Sequence, residues 1–127
     1  LELAYDNESA HRIEDGSDFF LMPSRYEPCG LNQMISLKYG TIPIVRATGG
    51  LDDSIVDFDG KKGNGFKFAG ITAPDLVAVV GRALAIYREK PQERWKNLVK
   101  RAMQADFSWN RSAREYQRLY KKLSGRK

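Results

Sequence analysis

A chain of 127 residues, 42% hydrophobic, 11% aromatic and 29% charged, has the composition of one folded unit with a single core and excludes a disordered segment. Cys29 is its one cysteine, which excludes a disulfide scaffold and suits a reducing compartment. The net charge of +5 is uneven, with 7 basic and 12 acidic residues in 1–81 against 14 and 4 in 82–127.

Residues 6–14 favour a short helix, with Asp6 or Asn7 as N-cap and Gly16 just past its end. Asp18 to Met22 is an apolar run between Gly16-Ser17 and Pro23-Ser24, predicted as a strand buried on both faces, as in a parallel sheet. Leu31, Met34, Ile35 and Lys38 fall at helical spacing with the apolar members on one side, and Tyr39-Gly40 supplies the stop. Ile42 to Val45 is the next strand, which Pro43 restricts to an edge or places near the strand start. Strand, helix and strand in that order predict a right-handed βαβ crossover.

Thr48-Gly49-Gly50 reads as a turn ahead of a short helix from Leu51 to Val56, with Asp52 and Asp53 in its first turn, where negative charge suits the helix dipole. The glycine-rich stretch 59–65 is an exposed loop and 66–68 a third, very short strand. Thr72 with Asp75 three residues on, and Pro74 in the first turn, starts a helix with the apolar stripe Leu76, Val79, Val80, Ala83, Leu84 and Tyr87. Pro91 breaks that run and opens another helix, with Trp95, Leu98, Val99, Ala102 and Met103 inward. A last helix carries the stripe Trp109, Ala113, Tyr116, Leu119 or Tyr120, and Leu123.

The fold class is therefore α/β: about three parallel strands with a helical carboxyl-terminal tail. A six-stranded doubly wound lobe needs about 180 residues at about 30 per βα unit, so the chain reads as the second half of such a sheet. Its first strand then lacks a neighbour and leaves an edge open for self-association. The basic carboxyl-terminal part reads as the solvated faces of amphipathic helices. It lacks interleaved stacking platforms, so no nucleic-acid partner is expected. No run of about 18 apolar residues and no leader pattern at the amino end are found, so no membrane partner is expected and the cytoplasm is the default location.

The segment Pro23-Ser24-Arg25-Tyr26-Glu27-Pro28-Cys29-Gly30-Leu31-Asn32-Gln33 follows a predicted parallel strand and runs into a helix start, which is where open α/β sheets bind ligands. Backbone N–H groups there, with Gly30 permitting close approach, suit phosphate oxygens. Glu27 is out of place beside a phosphate unless it meets a sugar hydroxyl or a developing positive charge; an N-cap or an ion pair with Arg25 are its structural alternatives. Thr48-Gly49-Gly50 should come near this loop from the end of the next strand, although Gly-Gly also fits a plain turn.

From Ala10 to Leu123 the chain resembles the carboxyl-terminal part of bacterial and archaeal glycogen synthases and plant starch synthases. The matching segments are Ala10-His11-Arg12-Ile13, Asp18 to Ser24, Tyr26-Glu27-Pro28-Cys29-Gly30-Leu31, Tyr39-Gly40-Thr41, Thr48-Gly49-Gly50-Leu51, Gly65-Phe66 and Asp106-Phe107-Ser108-Trp109. The resemblance implies a two-lobed glycosyltransferase-B fold, of which residues 1–127 form the carboxyl-terminal part of the Rossmann-like, nucleotide-sugar-binding lobe. It implies transfer of glucose from ADP-glucose or UDP-glucose to the non-reducing end of an α-1,4-glucan with retention, with no cofactor and no essential metal. Glu27 inherits support of the transition state at the sugar. Cys29, Gly30, Leu31 and Asn32 inherit the lining of the sugar and phosphates, with Thr48, Gly49 and Gly50 beside them, and Tyr5 occupies the position that stacks on the nucleobase.

The sequence departs from the family pattern in three ways. Asn32 stands where Thr is usual, donating a hydrogen bond with different reach. Ile35 stands where the wider glycosyltransferase class often has a second Glu, which is normal for the bacterial synthase branch. The Arg and Lys pair that neutralises the diphosphate lies upstream of Tyr5 in the family, and that pair, the amino-terminal acceptor lobe, its Lys-Gly-Gly loop and its His are not in this chain. The expectation is that the chain alone does not transfer glucose. His11, beside Arg12 on the first helix, reads as a packed or surface histidine, and Cys29 as a thiol reporter with no base to make it a nucleophile.

Overall fold

The computed structural model describes residues 6–125. In chain order it contains α1 (Asn7–Asp15), β1 (Phe19–Met22), α2 (Asn32–Tyr39), β2 (Ile42–Arg46), α3 (Gly49–Ser54), β3 (Phe66–Phe68), α4 (Ala73–Arg88), α5 (Glu93–Met103) and α6 (Trp109–Leu123). The strands form one sheet in the order β1-β2-β3, parallel throughout, with Phe19 opposite Ile42 and Ile44 opposite Phe66. Among the described residues no helix is long and apolar enough to cross a membrane.

The centre of the sheet is β2, whose Ile42, Ile44 and Val45 are buried. Pro43 is buried too, at the second position of this central strand, so the strand-start reading of that proline holds and the edge reading does not. Leu37, Leu51, Ile55, Phe66, Val79, Ala83, Ile86, Leu98 and Ala102 close around β2, joining α2 to α5 and β3 into one core. A fully buried Leu, Ile or Phe contributes about 1.5–3 kcal/mol, and this cluster is the main stabilising term. Phe19, Tyr87 and Trp95 stack edge-on or tilted with centroids 5.0–5.6 Å apart, and the Tyr87 hydroxyl donates to Asp18 at 3.0 Å, tying α4 to the start of β1.

The brevity of β3 is offset by polar ties. Asp57 accepts from the Lys67 amide at 2.7 Å and holds Arg82 through both carboxylate oxygens at 2.7 and 2.8 Å, while Arg82 also donates to the Lys67 carbonyl. Strand and helix are thereby joined outside the ladder. The start of α4 is the capping box expected from Thr72 and Asp75, with both reciprocal hydrogen bonds present.

Four sequence expectations need correction. β1 is not buried on both faces: it pairs on one side only, and Leu21 is 48% exposed. α3 starts at Gly49, two residues ahead of the expected Leu51, so Gly49 and Gly50 are its first turn. The apolar stripe of α6 does not face a core: Trp109, Tyr116, Tyr120 and Leu123 are 60–88% exposed and none of the helix is buried. Its pattern is amphipathic, but no described surface covers it. Met103 is exposed rather than inward, because α5 turns only Trp95, Leu98 and Ala102 fully into the core.

Glu14, near the end of α1, is buried with Oε2 lacking a hydrogen-bond partner among the described residues, while the Thr41 hydroxyl donates to its backbone carbonyl. Burial pushes its carboxyl above the usual range, partly countered by His11. The native state therefore holds this proton to higher pH than the unfolded chain does. The contribution of Glu14 to stability is intact below about pH 4.3, the ordinary glutamate value, and declines as pH rises through the folded value. Glu14→Gln is expected to unfold at a higher temperature than the parent at pH 8, with the difference shrinking toward pH 4, in thermal melts across that range.

Candidate functional site

Because β1 and β2 are parallel and in register, with Met22 opposite Val45, their carboxyl ends lie side by side. The chain leaves β1 through the loop 23–31 into α2, and leaves β2 through Ala47-Thr48 into α3. Both loops therefore reach the same rim of the sheet, the ligand-binding edge of open parallel α/β folds.

At this rim the two segments touch backbone to backbone. The Gly50 amide donates to the Pro28 carbonyl at 3.3 Å. A Cβ on Gly49 would collide with the Glu27 carbonyl oxygen, and one on Gly50 with that of Cys29. The expected approach of Thr48-Gly49-Gly50 to the first loop is present; close approach requires both glycines, and Gly49, at φ +46°, also needs the left-handed region. Gly30, at φ +70°, turns the loop into α2 in the left-handed region that favours glycine.

The loop is also held by side chains from its neighbours. Arg46, at the end of β2, donates to the Arg25 carbonyl at 2.8 Å and the Ser24 carbonyl at 3.4 Å. Gln33, completely buried, donates through Nε2 to the carbonyls of Cys29 and Gly30 and to Ser54 Oγ, all within 3.0–3.1 Å. Neither residue was assigned a role from sequence. The available signal was the helical spacing Gln33, Ser36, Leu37, which is the buried face of α2. Leu31, from the stripe read as apolar, is instead 66% exposed, and Met34 and Ile35 are only half-buried. The inner face of α2 carries polar groups because it must meet loop carbonyls.

Within this frame Glu27 is half-buried, and its carboxylate has no hydrogen bond or ion pair among the described residues. It is not an N-cap, since Leu31 holds that position for α2, and it forms no ion pair with Arg25. Neither structural alternative for Glu27 survives. Cys29, Leu31 and Asn32 are exposed, Thr48 is half-buried, and the Cys29 thiol is free.

The starts of α2, α3 and α5 have no side-chain cap, whereas Asp6, Thr72 and Ser108 cap α1, α4 and α6. The first N–H groups of α2 are thus left to an outside acceptor, and the dipole favours an anion there. Tyr5 lies outside the described residues. His11 faces away from the rim: its Nδ1 is 3.0 Å from the hydroxyl of Tyr39, at the far end of α2, and it packs there as read from sequence. Among the described residues no group of three or more His, Cys, Asp or Glu is arranged to hold a metal ion.

The fold is that of glycosyltransferases of the B type. The chain superposes on the catalytic domain of starch synthase IV from Arabidopsis thaliana, solved bound to ADP and acarbose, with a TM-score of 0.84 and 43% identity over 96% of this chain and 26% of that one. It also superposes on sucrose-phosphate synthase from Thermosynechococcus elongatus, with a TM-score of 0.63 and 26% identity over 97% of this chain and 29% of that one. By sequence it is 54% identical over 124 residues to glycogen synthase of Koribacter versatilis (strain Ellin345), which is 96% of this chain and 25% of that protein. It is 50% identical over 123 residues to glycogen synthase of Bacillus cereus (strain Q1), which is 95% of this chain and 25% of that protein. Over 95–96% of its length the chain is homologous to glycogen and starch synthases. It spans about a quarter of the length of the curated relatives it matches. No protein-family model matches it.

The glycine contact sets up a paired test. Gly50→Ala forces a methyl group onto a backbone carbonyl and is expected to destabilise the protein by about 1–3 kcal/mol. Gly81→Ala, in the middle of α4 with nothing within 4 Å of the new methyl, should stabilise it by about 0.4–1 kcal/mol. Chemical denaturation of the two variants beside the parent measures both.

Proposed function

We propose that this chain forms part of the nucleotide-sugar-binding lobe of a cytoplasmic glucosyltransferase that moves glucose from ADP-glucose or UDP-glucose to the non-reducing end of an α-1,4-glucan with retention. The observation that carries the reading is Glu27: a half-buried carboxylate without a partner, its backbone held against Gly49, at the rim where two parallel strands end. A charge kept partly from water with no structural counter-ion fits a site where positive charge develops during reaction.

In this reading the diphosphate oxygens face the free amides at the start of α2, with Gly30 allowing close approach and Asn32 adding an exposed side-chain donor. The glucose lies beside Cys29 and Leu31, within reach of Glu27. As the bond from its anomeric carbon to the phosphate oxygen breaks, that carbon becomes electron-poor, and the Glu27 carboxylate stabilises it until the acceptor hydroxyl forms the new bond and passes its proton to the departing phosphate oxygen. The nucleoside diphosphate leaves with the electron pair. Thr48 and the backbone of Gly49 and Gly50 complete the wall, and Tyr5 stacks on the base. The ADP bound to the similar starch synthase supports the nucleotide assignment. Transfer is proposed to need the cationic pair and acceptor lobe found in the family outside the segments present here, and neither a cofactor nor a metal.

Calorimetric titration of the chain with ADP and with UDP tests this reading. One of the two is expected to bind, Tyr5→Ala to weaken binding about tenfold or more, as loss of a base stack does, and Glu27→Ala to leave nucleotide affinity within about twofold because it faces the sugar. Absence of binding by either nucleotide overturns the proposal for this chain.

The open edge of β1, with Leu21 48% exposed, favours a second reading in which the chain pairs with a copy of itself. Sedimentation should then show a dimer that Leu21→Lys converts to monomer, and a monomeric parent excludes it.

A further inference from the structure

Gln33 is 0% exposed, yet it carries an amide. Its Nε2 faces three acceptors: the Cys29 carbonyl at 3.1 Å, the Gly30 carbonyl at 3.0 Å and Ser54 Oγ at 3.1 Å. The Ser54 hydroxyl hydrogen is committed to the Gly50 carbonyl at 2.5 Å, so Ser54 accepts from Gln33. The Gly50 amide in turn donates to the Pro28 carbonyl. A continuous circuit of hydrogen bonds therefore runs from the loop after β1, through Gln33 and Ser54, into the first turn of α3 and back to the loop.

The orientation of the amide is fixed by chemistry, because two of its three neighbours are carbonyls and accept only. Its Oε1 then lies where a Cβ on Gly30 would be 2.5 Å away, and it is buried without a donor. An amide oxygen left unpaired in the interior is costly, and a residue needed only for volume would be Leu or Met. The cost is tolerated where the nitrogen end serves a purpose an apolar side chain does not.

We infer that Gln33 is a positioning residue that locks the loop 27–31 to the first turn of α3, so that both halves of the rim keep one spacing. The inference rests on the donor-site reading for what that spacing serves, and on the hydrogen-bond circuit alone for the lock itself. Gln33 touches no reacting atom; it acts through Cys29, Gly30 and Gly50.

The lone cysteine supplies the probe. A nitroxide attached to Cys29 reports the order of this loop by electron paramagnetic resonance, and ADP titration reports the site. Gln33→Leu is expected to add a mobile component to the spectrum and, where the parent binds ADP, to weaken binding at least tenfold. Gln33→Glu distinguishes a lock from filling: a buried carboxyl protonated at pH 5 regains one donor, while its ionised form at pH 8 repels the two carbonyls. Its spectrum should be parent-like at pH 5 and mobile at pH 8. Should Gln33→Leu not fold, Ser54→Ala, which breaks the circuit at its far side, should give a smaller change in the same direction. A parent-like spectrum in each folded variant, with no pH dependence in Gln33→Glu, overturns the lock. So does unchanged ADP affinity in Gln33→Leu when the parent binds ADP. A parent that binds neither ADP nor UDP but whose loop loosens on substitution upholds the lock and overturns the donor reading instead.

Discussion

The contact between Gly49-Gly50 and the carbonyls of Glu27, Pro28 and Cys29 is the constraint on which the candidate site depends. Two backbones meet there at a distance no side chain permits. The consequence is geometric. The loop after β1 cannot rise away from the sheet, because its carbonyls lie under the first turn of α3. Glu27 is fixed by its backbone while its side chain stays free. The role proposed for Glu27 needs that combination: a set origin and no competing partner.

The contact is possible only because the sheet is parallel and β2 is its centre. Antiparallel neighbours would send the two loops to opposite rims. Here the buried run of β2 fixes its depth, the pairing of Met22 with Val45 fixes the relative height of the strand ends, and the loops inherit both. Arg46 and Gln33 then hold the loop from opposite sides, one at Ser24 and Arg25, the other at Cys29 and Gly30. Between those two clamps lies Glu27. Loops of nine residues ordinarily carry several soft backbone torsions, and two side-chain clamps with one glycine contact remove much of that freedom.

What was legible in the sequence was what local chemistry decides. The β-branched run of β2, the capping box at Thr72 and the Gly-bounded loop at 59–65 state their conformation within a few residues. The proximity of the two glycine motifs was legible from topology, since parallel strands place their following loops together. What was not legible depended on neighbours. The missing neighbour of β1 was legible from the length of the chain, but the exposure of Leu21 was not, because the apolar run to Met22 reads alike whether one face or both are covered. The stripe of α6 announces an amphipathic helix without saying what covers it. Gln33 was missed because a glutamine near a helix start is most often solvated; only the loop carbonyls above it make an inward amide sensible. The start of α3 was misplaced because Gly-Gly signals a turn when read alone and a tight helix start when another backbone lies against it.

The surplus of positive charge has a structural explanation that bears on the site. Arg82 is paired with Asp57 and lies 5.5 Å from the centroid of Phe66; Arg101 donates to the Gly63 carbonyl and covers Phe58 at the same distance; Arg94 pairs with Glu89. These guanidinium groups seal the edge of the core around β3 and its preceding loop. They do not face the rim between α2 and α3. Arg46, which does stand near the rim, has Nη1 committed to two loop carbonyls and Nε buried. In the proposed site the donors toward a diphosphate are therefore the uncapped amides of α2 rather than the guanidinium groups around β3. Amides fixed by backbone packing are directional, which a mobile lysine is not. A site proposed to hold a diphosphate while the adjoining sugar bond breaks would gain from donors that do not move with the departing charge.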